Sequence, residues 1–261
     1  MMRGMTFLDQ SDRTTAAAAR LFAEQEADTV VGEDAGMLMV ASARPYLRSL
    51  FYSSARRLDR AVPPEKAIAA FQSFGTEHGQ QLNLWVSVDG DTDLIAAAES
   101  AGMQRGIELE DMGIASAPAV PTPGFDVELA EVRDIEEADS FAEVHRALRI
   151  EAEQDPETVQ HFASHAVLLN PRVHAFVAYL ERKPAAAALA FRHEDSAGLF
   201  WVATKTSARK RGLGALVSAA AVDGAFRAGA KSATLTATAL GAPVYRQLGF
   251  ERFSGRARYS F

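Results

Sequence analysis

The sequence contains no cysteine. That absence excludes disulfides, thiolate nucleophiles and cysteine-based zinc sites together, and it fits a reducing compartment. No apolar run approaches the ~20 residues needed to span a bilayer, so a helical membrane protein is excluded. The opening stretch, MMRGMTFLDQSDRTTAAAARLF, lacks the apolar core and small-residue cleavage site of a secretory signal, and the expected location is the cytoplasm. A net charge of −7 with no stripe of basic and aromatic residues also argues against a nucleic-acid partner. What remains is 261 residues, 48% hydrophobic and 23% charged, the composition of a globular chain of one or two domains. Alanine accounts for 50 of them, which favours helices whose small faces lie close against a sheet.

Charge is unevenly placed. Residues 1–115 hold 10 basic and 17 acidic side chains, whereas residues 116–261 hold 17 of each. Within that second half, residues 126–200 carry a net −8 and residues 201–261 a net +8. An acidic segment beside a basic one suggests a cationic and an anionic ligand brought to adjacent surfaces. Between the halves, residues 115–124 contain Pro118, Pro121 and Pro123, small residues and no charge, and form an extended connector. The division is therefore 1–115, a linker over 116–125, and 126–261.

In the first part, helices are expected over 14–27, 64–77 and 93–101, and strands over 36–41, 49–54 and 82–88, with two closing strands. The second part begins with an extended stretch at 125–130 and a helix over 134–148. A short helix starts at Asp155-Pro156-Glu157, where proline suits the first turn. Strands at 174–180, 185–191 and 199–204 are joined by short polar connections and should form an antiparallel meander. A helix at 213–227, a strand at 232–237, a helix near 243–248 and terminal strands complete a mixed α/β domain.

The residues that carry chemistry lie between positions 202 and 215. Val202, Ala203 and Thr204 end a strand, Arg209, Lys210 and Arg211 form a basic loop, and Gly212, Leu213, Gly214 and Ala215 open a helix. Glycine there lets the backbone approach a ligand, and successive N–H groups at a helix start make a positive cup for a diphosphate. Tyr245-Arg246-Gln247-Leu248-Gly249-Phe250 follows 31 residues after Gly214. The pair resembles the GNAT superfamily of acetyl-CoA-dependent N-acetyltransferases. Residues 209–214 match its Gln/Arg-x-x-Gly-x-Gly/Ala loop, and residues 245–250 match its late Tyr-x-x-Leu-Gly-Phe segment. The resemblance covers residues 126–261.

The resemblance implies a GNAT-like mixed α/β fold with a largely antiparallel sheet flanked by helices. It implies acetyl-CoA as co-substrate, no metal, and direct attack of a primary amine on the thioester. The main chain of residues 202–204 would pair with the pantetheine arm, residues 210–215 would hold the diphosphate, and Tyr245 would protonate the departing thiolate. Thr238 stands where many relatives carry an asparagine that contacts the cofactor. No carboxylate occupies the family's usual general-base position in 231–236, and Glu151, Glu153 and Asp155 are either acceptor-side groups or solvated loop charges. His145, His161, His165 and His174 show no convincing metal spacing. The acceptor expected from the acidic segment is a small cationic amine, for a monomer or homodimer. A non-catalytic acyl-CoA sensor and an enzyme for longer acyl chains stay open at this point.

Residues 98–105, Ala-Glu-Ser-Ala-Gly-Met-Gln-Arg, can be laid over Tyr245 to Arg252. Residues 1–115 are accordingly expected to be a degenerate GNAT-like copy, since the stretch after the matching strand, 55–64, has arginines but no glycine.

Overall fold

The computed structural model describes residues 6–43 and 51–261. Along the chain run α1 (Phe7–Ala23), β1 (Thr29–Asp34), β2 (Met37–Ser42), β3 (Ser54–Arg57), α2 (Pro64–Glu77), β4 (Asn83–Ser87), α3 (Thr92–Ser100) and β5 (Gln104–Ile114). Next come β6 (Val127–Glu131), α4 (Ile135–Glu151), a 3-10 turn (Pro156–Val159), α5 (Gln160–Ala163) and α6 (His165–Leu168). The order ends with β7 (Val173–Leu180), β8 (Lys183–His193), β9 (Ser196–Thr204), α7 (Leu213–Arg227), β10 (Ser232–Ala237), α8 (Ala242–Gln247) and β11 (Glu251–Ser260).

Two compact units emerge, and they do not follow the linear division. The first takes the described residues up to Met112 together with Thr236–Leu240 and Arg252–Phe261, and the second takes Gly113–Leu235 and Gly241–Glu251. Strand β11 groups with the first unit because its backbone pairs antiparallel with β4, from Arg256↔Ser87 to Tyr259↔Leu84. Its alternate residues Ala257 and Tyr259 enter that unit's core beside Met37, Met39, Phe71, Leu84 and Val86. Full burial of one such side chain contributes about 1.5–3 kcal/mol, enough to fix the strand's place.

In the first unit the strands follow the order β1-β2-β3-β4-β11-β5. Helix α1 starts at Phe7, well before the expected position 14, because Thr6 and Asp9 form a reciprocal capping box. Strand β1, which periodicity did not reveal, pairs with β2 through Asp34↔Met37. The two turn residues, Ala35 and Gly36, both have positive φ (47° and 69°), as a tight hairpin turn requires. The strand expected over 49–54 falls partly on positions 49 and 50, outside the described residues, and β3 begins only at Ser54. One long strand, β5, replaces the two closing strands expected before the linker, and β11 likewise replaces the terminal pair.

In the second unit the order is β10-β9-β8-β7-β6. Strands β7 to β9 form the antiparallel meander that the short polar connections predict, and β6 pairs antiparallel with β7. Helix α7 packs on β7, β8 and β9. Small residues make this close approach possible, since a Cβ on Gly224 would stand 3.2 Å from the Cβ of His174 and Ala185 to Ala188 line β8. α7 stops where expected because Gly229 has φ 105° and the Ala230 N–H returns to the Ala225 carbonyl.

Candidate active site

Strand β9 carries an irregularity near its end. It pairs with β8 through Leu189↔Phe200 and then Ala187↔Ala203, so Trp201 and Val202 face the single residue Ala188. Trp201 has φ 52°, the left-handed region that a bulky side chain rarely adopts. Its ring stacks on Phe162 with centroids 3.6 Å apart. The Trp201 backbone also bonds to the buried His145 of α4. That histidine lies between Phe141 and Phe162, at 4.9 and 5.1 Å, and its Nε2 has no partner among the described residues. Burial pushes the His145 imidazole down to about 3, so the ring is neutral at any working pH.

On its other edge β9 pairs in parallel with β10 only from Ser196↔Ser232 to Gly198↔Thr234. Beyond Gly198 that side of β9 has no β10 partner among the described residues, which leaves an edge at Val202 and Ala203 for a ligand strand or arm. The chain then turns through residues 206–208 and Arg209, whose Nε donates to the Thr204 carbonyl at 3.3 Å. Lys210 (φ 64°) and Gly212 (φ 76°) reverse the backbone into α7.

The first turn of α7 is open. No side chain caps it, and the Leu216 N–H bonds the Gly212 carbonyl at 3.0 Å to begin the helical ladder. The N–H groups at the head of the helix therefore lack intrahelical acceptors and carry the positive end of the helix dipole. A Cβ on Gly212 would meet nothing, and one on Gly214 would stand 3.3 Å from Thr204 Oγ1, filling the mouth of the cup. Arg209 and Lys210 have no carboxylate partner among the described residues, while Arg211 lies 3.8 Å from Asp126. An uncapped helix start, two glycines and two uncompensated cations suit a diphosphate.

Residues 119–242 match the family described as Acetyltransferase (GNAT) domain. Those residues carry a GNAT acetyltransferase domain. No curated protein matches the sequence. Among solved structures, a GCN5-related N-acetyltransferase from Kribbella flavida is similar at 20% identity and TM-score 0.69, covering 94% of this chain and 93% of that one. A tandem GNAT protein from the clavulanic acid biosynthesis pathway, solved without acetyl-CoA, is similar at 14% identity and TM-score 0.64, covering 97% and 96%. A functionally unknown conserved protein from Staphylococcus epidermidis is similar at 16% identity and TM-score 0.62, covering 92% and 96%. These likenesses extend the shared fold to nearly the whole chain.

In the GNAT domain, the structure brings Val202, Ala203 and Thr204 together with Arg209 to Ala215 around the start of α7. Tyr245 lies on α8, which packs against α7, with its ring edge-on to Phe250 at 6.1 Å. Burial pushes its phenol up to about 12, and the hydroxyl has no hydrogen-bond partner among the described residues. Thr238 is exposed and falls in the segment Thr236–Leu240, which groups with the first unit.

Glu151, one of two readings for the acidic cluster, accepts a bond from the Thr206 hydroxyl at 2.6 Å and so belongs to the support of the loop. Lys205 is tied to Glu143 of α4 in the same way at 2.7 Å. Asp155 caps the turn at Pro156 through the Glu157 N–H, and Glu153 is exposed. Sequence reasoning missed Trp201, Phe162 and the role of His145. A bulge leaves no periodic signature, and their meeting depends on the packing of α4 and α5 against β9. His165 bonds Asp139 at 2.8 Å, and no group of metal-ligating side chains occurs among the described residues. No helix among the described residues is long and apolar enough to cross a membrane.

The stretch after β3 in the first unit has the opposite polarity. There the Arg57 guanidinium donates to the carbonyls of Asp59, Arg60 and Val62, at 3.2, 3.2 and 2.7 Å. Carbonyls surround a buried cation where α7 presents free N–H groups. Arg60 is similarly held, by Asp12 at 2.7 Å and Asp91 at 3.0 Å.

Proposed function

We propose that this protein transfers an acetyl group from acetyl-CoA to a primary amine of a small cationic acceptor, in the cytoplasm, as a monomer or homodimer. One observation carries the reading: the glycine-lined, uncapped start of α7, directly after the bulged end of β9. Lys210 to Ala215 would hold the diphosphate on backbone N–H groups, with Arg209 and Lys210 supplying charge. The open edge of Val202 to Thr204 would take the pantetheine arm. Acetyl-CoA supplies an activated acetyl group, whose C–S bond breaks as a C–N bond to the amine forms.

The chain's own contribution is positioning, charge stabilisation and one proton. A backbone N–H at the bulge would polarise the acetyl carbonyl, the type of donor that is worth about 3–4 kcal/mol in acyl transfer. Tyr245, kept protonated by its half-buried setting, would give its proton to the departing thiolate and recover one from solvent. The amine loses its proton to water, since no carboxylate is assigned as base. The acceptor class follows from the net −8 over residues 126–200, which attracts a cation. The first unit is read as a copy that has lost cofactor binding, because Arg57 and Arg60 fill their own loop.

A panel of amines with acetyl-CoA, read by release of free thiol, tests this reading. Turnover with a cationic amine supports it. Tight acetyl-CoA binding without turnover on any amine would replace it with an acyl-CoA sensor.

A further inference from the structure

The first unit contains a cavity of about 660 Å³ at the C-terminal end of α2 and the start of β4, bordered by the end of β11. That volume is in the range of small-molecule sites. Its shape follows from how α2 ends. Gly79 adopts φ 60°, its N–H bonds the Thr76 carbonyl, and the Gln80 N–H returns to the Gly75 carbonyl at 2.9 Å. The chain is thereby folded back, and Gln80 and Gln81 stand on the rim before β4 begins. Asn83 lies deeper, with its Nδ2 donating to the Ser53 carbonyl at 3.4 Å.

Among the described residues, Arg258 is the only charged side chain lining this cavity. It is held on β11 opposite Trp85, and its guanidinium rests against Gly106, where an added Cβ would stand 3.1 Å from Nη2. Its Nε is shut off from solvent with no hydrogen-bond partner, and no carboxylate pairs with it among the described residues. Three other arginines that the fold encloses in this unit are compensated: Arg57 by Asp93, Arg60 by Asp12 and Asp91, and Arg256 by Asp12 and Asp111. The nearby Glu108 is taken by Arg105 at 2.5 Å. A buried donor without an acceptor is costly, and a planar carboxylate is the acceptor that fits a guanidinium fork.

The remaining lining sets the rest of the ligand. The side chains of Gln72, Gln80, Gln81 and Ser260 offer neutral donors that make no hydrogen bond among the described residues. Phe71 and Phe261 stack at 6.4 Å along one wall. The negative end of the α2 dipole also faces this region, but it amounts to about half a charge and is partly satisfied by the Gly79 and Gln80 N–H groups. The full charge of Arg258 prevails.

We propose that this cavity binds a small organic carboxylate with a flat apolar body, anchored by Arg258 and separate from the acetyl-transfer site. The test is calorimetric or ligand-observed titration of the full-length protein with phenylacetate, phenethylamine and inorganic phosphate. Saturable phenylacetate binding is expected, with no phenethylamine binding and phosphate at least ~10-fold weaker. Arg258→Gln should weaken phenylacetate at least ~10-fold, the difference expected from one charge-assisted pair, while Gly214→Val leaves it unchanged. Should Arg258→Gln fail to fold, Gln81→Glu serves instead: an added rim carboxylate should weaken phenylacetate and admit phenethylamine. Equal affinity of Arg258→Gln for phenylacetate would overturn the proposal. So would phosphate or phenethylamine binding as tightly, loss of binding in Gly214→Val, or no saturation up to ~10 mM, a limit corresponding to the weakest useful affinities.

Discussion

A Cβ placed on Gly214 would come within 3.3 Å of the Thr204 hydroxyl oxygen. The end of β9 and the first turn of α7 are thus separated by the room that a missing side chain leaves. Gly214→Val should therefore fold, because valine is a better helix residue than glycine and Thr204 has only to shift by tenths of an ångström. Its isopropyl group would still stand over the free N–H groups. Thermal melting is expected to change by no more than the equivalent of ~1 kcal/mol, while acetyl-CoA affinity measured by calorimetry falls by ~100-fold or more, the scale of losing several backbone-to-phosphate bonds.

Tyr245→Phe keeps the ring packed on Phe250 and removes only the hydroxyl. Turnover on a verified amine should drop by ~10²–10⁴-fold, the usual worth of a general acid, with acetyl-CoA binding nearly unchanged. Because burial pushes this phenol up to about 12, the rate should show no loss attributable to Tyr245 up to about pH 10, the ordinary tyrosine value. Steady-state kinetics across pH read both outcomes.

His145 makes the fold acid-sensitive. Its folded-state value of about 3 lies below the unfolded value near 6.5, so unfolding takes up a proton as pH falls between the two. The neutral-ring contribution is complete above about pH 6.5 and is lost progressively toward pH 3. His161 and His174 are also pushed down by burial and act in the same direction. Urea midpoints measured from pH 7 to 4 should decline, and His145→Phe should flatten that decline. An unchanged slope in the variant would place the acid sensitivity elsewhere.

The loop of the first unit gives a prediction of its own. Asp93 is held below the usual carboxylate range by its hydrogen bonds from Arg57, at 2.8 and 3.0 Å. A lowered carboxylate stabilises above its unfolded pKa of ~3.9, and the contribution is lost as pH falls through the lower folded value. Asp93 is half exposed, so Asp93→Asn should cost only about 1–2 kcal/mol at neutral pH. Wild type and variant should converge in stability, in the same urea series, as pH falls below the usual carboxylate range and the wild-type carboxylate is protonated.

Much of the second unit was legible because its signals are local. α7 and β10 begin and end as expected, since Gly212 and Gly229 mark the helix ends and the residues between them are small and apolar. The same holds for α3 and α8. Gly102 and Gly249 close them in the left-handed conformation, and the bonds from the Met103 N–H to Ala98 and from the Phe250 N–H to Tyr245 repeat the same cap. That repeat sets the same helix cap at matching positions of the eight-residue overlay. What was illegible depends on distant pairing. Nothing local in Arg256 to Tyr259 announces β4 as partner, and the left-handed Trp201 is imposed by α4 and α5. The charge of Arg56, Arg57 and Arg60 was visible, but not that carbonyls and aspartates enclose Arg57 and Arg60.

Calorimetric titration of the full-length chain with acetyl-CoA tests the central claim most directly. The intact chain is required, since β11 completes the first unit by pairing with β4. One cofactor per chain is expected, with binding lost in Gly214→Val. Two cofactors per chain, or one that survives Gly214→Val, would contradict the assignment of the cofactor to the start of α7.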